Sequence, residues 1–508
     1  MTLLIGDTVA VASRPTFHIV TLGCSKNRVD SEGMSRVLTE RGLDSADDPG
    51  NAQVLIVNTC GFLAASRAES VSVIRDLLDA KRDDQLVIAS GCMPALPNRR
   101  AELPEGVDAI ISTHEWDTIG DVVGGLLHMP ELQVAGCQGM LTSFRRVEAG
   151  PSAYVKIADG CDHACHFCTI PIIKGRQVSK RPSDVVREIS ELVAGGTREV
   201  VLVAQDTIRY GADLGIKHGL PKLLEMIVED VPDLEWLRML YIYPTPLTMR
   251  MVDVMAEHDV LLPYLDMPIQ HADKEVLRRM GRPSDVDMTR KLVDYARSKM
   301  PDVAMRTTFI VGYPGETDEQ FETLMDFVEE MKFDHVGVFT YSHEEGTKSA
   351  ELDNPVPIEI AEERRNALME LQQGISLAKN QSLVGSTVDV LVEAIGEMED
   401  NEGNSEPITV GRARRHAPEV DGLVFIPGAL PVGDMVQVVI QDASPYDLWA
   451  VAQDTRVTQD GLRRAERAAR RRSRQNQSIR PDQAGRLGEN RKRRGRALPV
   501  VQSRPSGT

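Results

Sequence analysis

The segment ADGCDHACHFCTIP, residues 158–171, holds three of the seven cysteines of the chain in a C-x3-C-x2-C spacing: Cys161, Cys165 and Cys168. A structural zinc site takes four ligands, and no fourth cysteine or histidine pair follows at zinc-finger spacing. A disulfide framework takes an even number of cysteines. Because [4Fe–4S] clusters are normally held by four cysteines, three thiolates on one short loop predict a cluster with one iron open to another ligand.

Three further cysteines each end a β-rich run near the amino terminus. The runs are FHIVTLGC (17–24), VLIVNTC (54–60) and QLVIASGC (85–92), and they end in Cys24, Cys60 and Cys92. Their spacing matches βαβ units, so the strands are expected to be parallel neighbours. Ligands bind beyond the carboxyl ends of such strands, which predicts that these cysteines converge as a metal site. The alternative is that they are buried cysteines acting as small apolar side chains.

The middle of the chain repeats a longer strand–helix unit. Six β-rich runs alternate with helical patterns, at residues 153–159, 199–206, 236–244, 264–271, 304–312 and 335–342. A closed barrel of this kind needs eight strands, so six predict an open, partial (β/α)6 barrel. Short strands separated by turns then run from residue 384 to 455 and predict a small antiparallel β-barrel.

These patterns predict a multidomain α/β protein. The expected parts are a doubly wound parallel α/β domain (15–130), a linker (131–148), the partial barrel (149–380), the small β-barrel (381–456) and an Arg-rich tail (457–508). The tail lacks apolar periodicity and is expected to be disordered. Cys137 lies in the linker without a strand-end context, and we interpret it as unpaired and structural.

Charge excludes one broad class of partner for most of the chain. The net charge is −18, but the segment from residue 456 onward carries +12. This leaves −30 on residues 1–455, the body of the chain. A body this acidic does not bind nucleic acid by neutralising phosphates. It suits a basic protein partner instead. The tail could make a weak, non-specific contact with RNA, or simply keep the chain end soluble.

The cysteine loop GCDHACHFC resembles the signature of the radical S-adenosylmethionine (SAM) enzymes. The resemblance implies that Cys161, Cys165 and Cys168 ligate a catalytic cluster, next to the aromatic Phe167, and that SAM chelates the open iron. The turn IVGYPGET (310–317) resembles the SAM-binding turn of that superfamily at three positions, Gly312, Gly315 and Glu316. Three more residues are candidate contacts of SAM or substrate at the strand ends: Arg306 for the SAM carboxylate, and Gln270 and His271 for the ribose or the substrate.

The amino-terminal motifs LGCSKNRVDSE, VNTCGF and SGCMP, followed by the barrel, resemble the methylthiotransferase family from about residue 16 to 455. The resemblance implies a second [4Fe–4S] cluster on Cys24, Cys60 and Cys92 that holds the sulfur to be inserted. It also implies that two SAM molecules are used, one as the methyl donor and one as the source of the 5′-deoxyadenosyl radical. An electron donor such as flavodoxin or ferredoxin is then needed.

Two branches of this family act on different substrates, an adenosine in transfer RNA or the β-carbon of an aspartate in ribosomal protein uS12. The motifs AQDTIRYG and YLDMPIQHA resemble the ribosomal-protein branch. Residues 381–455 carry a net charge of −10, which would repel phosphates and attract a basic loop. The sequence therefore predicts the protein substrate, with transfer RNA as the alternative.

An alternative hypothesis is that the protein is not an enzyme but an iron–sulfur electron carrier or redox sensor. The GYPGE turn argues against it, because a carrier needs no SAM pocket. The absence of an 18-residue apolar run predicts no membrane span. The cysteine usage indicates a reducing cytoplasm, and we expect a monomer.

Overall fold

The computed structural model describes residues 14–129, 150–282, 286–399 and 405–453. Cys137 with its linker, and the tail from residue 457 onward, lie outside these ranges. The chain divides into two compact units, residues 1–379 and 380–508. The first unit contains both the amino-terminal α/β domain and the partial barrel, and the second contains the small β-barrel.

The amino-terminal domain is a five-stranded, all-parallel sheet in the order β2-β1-β3-β4-β5. Its strands are β1 (Thr16–Thr21), β2 (Asp44–Ser45), β3 (Val54–Thr59), β4 (Leu86–Gly91) and β5 (Ala109–Ser112). Its helices are α1 (Ser25–Glu40), α2 (Ala64–Ala80), α3 (Pro97–Arg100) and α4 (Ile119–Leu126). The three cysteine-bearing strands predicted from the sequence are the central neighbours β1, β3 and β4.

Two separate apolar layers show that helices cover both faces of this sheet. On one face Met34 of α1 and Ile119 of α4 pack against Ile56. On the other face Ile74 of α2 packs with Val57 and its neighbours on β4. Alternate residues of a strand point to opposite faces, so β3 contributes to both layers and is buried throughout. The expected doubly wound arrangement is confirmed.

The second part of the first unit is the barrel. Its strands are β6 (Ser152–Lys156), β7 (Ala158–Asp159), β8 (Val178–Ser179), β9 (Glu199–Val203), β10 (Trp236–Met239), β11 (Tyr264–Asp266), β12 (Ala304–Val311) and β13 (His335–Thr340). Its helices are α5 (Ile170–Ile173), α6 (Pro182–Ala194), α7 (Gly219–Asp230), α8 (Pro246–Glu257), α9 (Lys274–Arg279), α10 (Val286–Lys299), α11 (Asp318–Met331) and α12 (Ile358–Gln381).

Six of these strands form one parallel arc. They pair as β10-β9-β6 and as β11-β12-β13. A parallel bridge between Leu237 and Leu261 joins the two halves, as does a backbone hydrogen bond of 2.8 Å from Ile242 to Asp266. The partial (β/α)6 barrel is confirmed. β7 and β8 form a separate two-residue antiparallel pair beside the cysteine loop, which the sequence pattern did not reveal.

The barrel is stabilised by helices that bury one apolar face each. In α6 the buried residues Val185, Ile189 and Leu192 recur at helical spacing and join the central core. Helix α11 begins with a capping box in which the Thr317 hydroxyl and the Gln320 side chain each bond to the other residue's backbone amide. This cap fixes the helix start immediately after the GYPGE turn.

The second unit is a closed five-stranded barrel in the order β14-β15-β16-β18-β17. Its strands are β14 (Thr387–Glu399), β15 (Ser405–Ala413), β16 (Val424–Pro427), β17 (Met435–Ala443) and β18 (Leu448–Ala452). Pairing is antiparallel except between β16 and β18, which run parallel. On β17 the inward residues Val436, Val438 and Ile440 alternate with more exposed ones. Across the described residues, every helix is too short or too polar to cross a lipid bilayer.

Candidate functional site: two cysteine trios

Cys24, Cys60 and Cys92 follow β1, β3 and β4 at the same edge of the parallel sheet. Their loops lie in contact. A Cβ placed on Gly23 would lie only 3.0 Å from the Cys60 Sγ, and one on Gly61 would lie 2.9 Å from the carbonyl carbon of Cys92. Glycine is therefore required at both positions. The structure brings this first cysteine trio together across 68 residues of sequence, as the strand-end pattern predicts.

Asn27 ties the three loops of this trio to one another. Its Nδ2 donates to the carbonyl oxygens of Leu22 and Thr59, each at 3.0 Å. The Cys92 thiol donates to its Oδ1 at 3.4 Å. Asn27 is buried on the first turn of α1. The motif CSKN contained this residue, but nothing in its local pattern indicated a role as a link between strand ends.

Burial disfavours the thiolate form of two cysteines of this trio. It raises the pKa of Cys60, and it raises the pKa of Cys92 to about 12. Cys24 is exposed and lies at the amino terminus of α1. Metal ligation requires thiolates, so binding here must displace protons from the two buried thiols.

The second trio lies on the loop between β7 and α5. Three backbone hydrogen bonds shape this loop: Cys161 to Gly175 at 3.1 Å, Cys168 to Cys165 at 3.2 Å, and His166 to Met280 at 2.8 Å. Burial raises the pKa of all three thiols, to about 11 for Cys161 and about 12 for Cys168. The cysteines line a cavity of about 570 Å³, which is roomy enough for a cluster with a further ligand.

A hydrogen bond joins the two loops that carry the trios. The Thr169 hydroxyl, next to Cys168, donates to the carbonyl oxygen of Phe62 at 3.3 Å. Phe62 lies two residues after Cys60. The α/β domain and the barrel therefore meet at their cysteine loops.

A buried set of charges supports the same contact. Lys156 and Lys174 of the barrel both pair with Asp30 of α1 and with Asp159, and the Lys174–Asp159 distance is 3.1 Å. All four side chains are at most 4% exposed. Burial alone would raise the pKa of Asp159, but the two ammonium groups outweigh it and hold that pKa well below its usual 3.8. Two cations and two anions cancel, so the set is neutral as a whole.

Glu344, in the loop after β13, forms a third link. Its carboxylate accepts from the backbone amide of Ala64 at 2.8 Å, from Arg67 at 2.6 Å and from Arg99 at 3.3 Å. Arg99 also donates to the carbonyl oxygen of Gly61, beside Cys60. The loop of Glu344 continues to Ser349, whose amide and hydroxyl both bond to the His166 carbonyl at 3.0 Å.

The GYPGE turn is built around Glu316. Gly312 and Gly315 have φ of +73° and +74°, which only glycine adopts without strain. The buried Glu316 carboxylate accepts from the amides of Gly312 and Tyr313 and pairs with Arg364 at 3.1 Å. Glu316 therefore holds the shape of the turn from within.

The remaining predicted contacts of SAM already have protein partners. His271 is fully buried: its Nδ1 accepts from the Asp273 amide at 2.9 Å, so its Nε2 carries the hydrogen and donates to Glu316 at 3.1 Å. Arg306 pairs with Asp266 at 2.8 Å. Gln270 has φ of +78° and exchanges backbone hydrogen bonds with β12. Phe167 is partly buried and packs against the central core.

Sequence reasoning missed two groups near the cysteines. His163 stacks on Tyr243 with ring centroids 4.6 Å apart and pairs with Asp206 at 2.6 Å. The Arg282 guanidinium lies 4.4 Å from the same Tyr243 ring, and its positive charge opposes the rise in the pKa of Cys165 that burial causes. These contacts join residues far apart in sequence, and only the tyrosine in YIYP and the histidine in CDHAC could have drawn attention to them.

The donor sets fit iron–sulfur clusters better than single ions. Within the described ranges, no three Cys, His, Asp or Glu side chains lie close enough to share one metal ion. In a [4Fe–4S] cluster each cysteine binds a different iron, so its ligands stand farther apart. The loops that carry each trio contact one another, and the second trio lines a cavity. The two trios are therefore suited to two such clusters.

Comparison with known proteins gives three matches along the chain. Residues 155–328 match the Radical SAM superfamily, residues 16–112 match the uncharacterized protein family UPF0004, and residues 384–452 match the TRAM domain. In the solved structures, the radical SAM methyltransferase TsrM from Kitasatospora setae is 14% identical, with a TM-score of 0.48 over 77% of this chain and 82% of that one.

Curated relatives match nearly from end to end. Ribosomal protein uS12 methylthiotransferase RimO from Chloroflexus aurantiacus is 44% identical over 86% of this chain and 99% of its own length. The proteins of the same name from Roseiflexus sp. and Herpetosiphon aurantiacus are 43% and 44% identical, each over 85% of this chain and 96% and 99% of their own lengths. With its cysteine trios, its partial barrel and these relatives, the chain belongs to the RimO family of radical SAM methylthiotransferases.

Proposed function

We propose that this protein transfers a methylthio group to the β-carbon of an aspartate in ribosomal protein uS12. One observation carries the proposal: two cysteine trios on different domains are joined by the hydrogen bond from Thr169 to Phe62. A simple electron carrier needs no such pairing with a SAM-type turn. The uS12 methylthiotransferases that match almost the whole chain support this substrate over transfer RNA.

The two trios take different roles in this proposal. Cys161, Cys165 and Cys168 hold the catalytic cluster, and Cys24, Cys60 and Cys92 hold the auxiliary cluster. When bound, the clusters and SAM supply the radical, the methyl group and the sulfur of the reaction. The chain itself positions these groups. Thr169, Glu344 and the buried set around Asp159 fix the two cysteine loops against each other.

The SAM pocket is proposed to lie between the catalytic trio and the GYPGE turn. Gly312 and Gly315 supply the positive φ that the turn needs, and Glu316 holds that backbone in shape. We propose that four more side chains lie next to SAM or the substrate: Arg306, Gln270, His271 and Phe167, the aromatic residue beside Cys168. Arg306 and His271 are themselves fixed by Asp266 and Glu316, so they would contribute as oriented groups.

The wider setting follows from the same proposal. The six described cysteines are free thiols, which agrees with a reducing cytoplasm. We propose that a flavodoxin or ferredoxin supplies the electron and that the enzyme acts as a monomer. A weak contact of the basic tail with ribosomal RNA is proposed as accessory.

The experiment is anaerobic reconstitution followed by reaction with purified uS12 and mass spectrometry of the product. The intact enzyme should bind about eight irons per chain, four for each cluster, and should place a methylthio adduct on one aspartate. Cys161→Ala should abolish formation of 5′-deoxyadenosine. Cys60→Ala should allow it while stopping sulfur insertion. An adduct found on transfer RNA instead of uS12, or an iron content near four, would contradict the proposal.

A further inference from the structure

Three lysines are buried near the two cysteine trios, and one of them differs from the others. Lys156 and Lys174 each pair with two carboxylates. Lys26 is 7% exposed, yet no carboxylate in the described part of the chain forms an ion pair with it. Its ammonium instead lies 3.3 Å from the centroid of the Tyr241 ring.

Among the described residues, this arrangement leaves the buried Lys26 without an ion-paired carboxylate. A cation on a desolvated aromatic face is stabilised by the ring. Removing an ammonium from water costs more than one such contact returns. Tyr241 therefore offsets only part of the cost, and Lys26 keeps the capacity to bind an anionic group.

The position of Lys26 indicates which anion it could meet. It lies two residues after Cys24 on the first turn of α1, and it reaches across to Tyr241, which follows the barrel strand β10. The ammonium is thus placed between the trio proposed to hold sulfur and the strand ends of the barrel. A substrate carbon that collects sulfur must enter this space.

The nearby carboxylate of Asp266 already accepts hydrogen bonds from other groups. Asp266 accepts from Arg306 at 2.8 Å and from the backbone amide of Tyr241 at 3.0 Å. The second bond holds Tyr241 in a left-handed conformation with φ of +61°. Such a conformation is unfavourable for a non-glycine residue, and here it keeps the ring beneath the ammonium. Tyr241 and Asp266 therefore fix the ring that carries Lys26.

We propose that Lys26 binds the side-chain carboxylate of the aspartate that is modified. This inference rests on the proposed function, because the target β-carbon is bonded directly to that carboxyl carbon. A salt bridge from Lys26 would hold the β-carbon next to the Cys24 side of the site. It would also select aspartate over asparagine, since the amide cannot neutralise a buried ammonium.

The test compares uS12 with a uS12 variant that has asparagine in place of the target aspartate. Binding to the reconstituted, oxygen-free enzyme is measured by calorimetry with SAM present. A charge-assisted hydrogen bond contributes about 1.5–3 kcal/mol, so the wild type should bind the aspartate form roughly 10- to 150-fold more tightly. Lys26→Met should lose this preference, and Lys26→Arg should recover part of it.

Arg28→Met is the matched control, because it removes one positive charge from the same turn of α1 at an exposed site. It should keep the preference for aspartate. Iron content and the electron paramagnetic resonance spectrum of Lys26→Met are recorded without uS12. If they differ from the wild type, Lys26 serves the charge of the cluster ligands, and the proposal is overturned. Lys26→Gln serves as a second variant should Met disturb folding.

Two other results have separate meanings. If Lys26→Met still discriminates aspartate from asparagine as the wild type does, Lys26 is not the carboxylate site, although the proposed function stands. If the wild type neither binds uS12 nor modifies it, the proposed function itself fails, and the role of Lys26 fails with it.

Discussion

Glu344→Gln should loosen the contact between the two cysteine-bearing domains. Glu344 is 1% exposed and bonds to the Ala64 amide, Arg67 and Arg99. Glutamine keeps the size of the side chain but removes the charge, which leaves two poorly exposed guanidinium groups without their shared carboxylate. Breaking a buried ion pair from one side costs about 3–5 kcal/mol, and since glutamine still accepts one hydrogen bond we expect about 3 kcal/mol.

The loss should appear as local opening at the start of α2. An energy of about 3 kcal/mol corresponds to roughly a 150-fold change in an equilibrium constant. Amide hydrogen exchange of the peptide that contains Ala64 and Arg67, followed by mass spectrometry, reports this opening. The protection of that peptide should fall by about two orders of magnitude, while α8 (Pro246–Glu257), which packs against α7 and α10, keeps its protection.

Glu345→Gln is the control, because Glu345 is exposed and its only described contact is a 3.2 Å hydrogen bond from Asn98. It should leave the exchange unchanged. A functional readout accompanies the exchange: Glu344→Gln should form 5′-deoxyadenosine in excess over methylthiolated uS12, because the two trios lose their fixed separation. Equal protection in both variants would show that Glu344 does not hold the domains together.

Three further changes have defined outcomes. Asn27→Ala removes the bonds that bring Leu22, Thr59 and Cys92 together, so iron measured after reconstitution should fall from about eight to about four per chain, given four irons per cluster. Gly160→Ala should prevent cluster loading on the catalytic trio, because a Cβ there overlaps the Arg176 carbonyl and φ is +80°; retention of full iron would refute this. Burial raises the pKa of Tyr210 above its usual 10.0. The folded state therefore favours the neutral phenol, and the stability measured by urea unfolding should decline above about pH 10, with a smaller decline in Tyr210→Phe.

Sequence periodicity predicted the parallel strands and placed three cysteines at one sheet edge. This succeeded because a strand end is a local property that repeats at each βαβ unit. Strand-end position also named Arg306 and His271 as candidate contacts of SAM or substrate, but it gave no sign of their protein partners, Asp266 and Glu316. Such pairs join side chains from different strands and turns. A local sequence pattern therefore cannot predict them. Lys26 was overlooked for the same reason: its partner, Tyr241, lies 215 residues away.

The contacts between the domains also bear on how the reaction can be ordered. Thr169, Glu344 and the Lys156–Asp30 pair are spread over three segments of the barrel, and each reaches a cysteine-bearing part of the α/β domain. A hinge motion that separated the trios would have to break all of these contacts at once. A carbon activated at one trio can then meet sulfur at the other only if both lie within reach of one bound substrate. A fixed carboxylate site at Lys26 provides such a position, because it holds the substrate between the trios without requiring the domains to move.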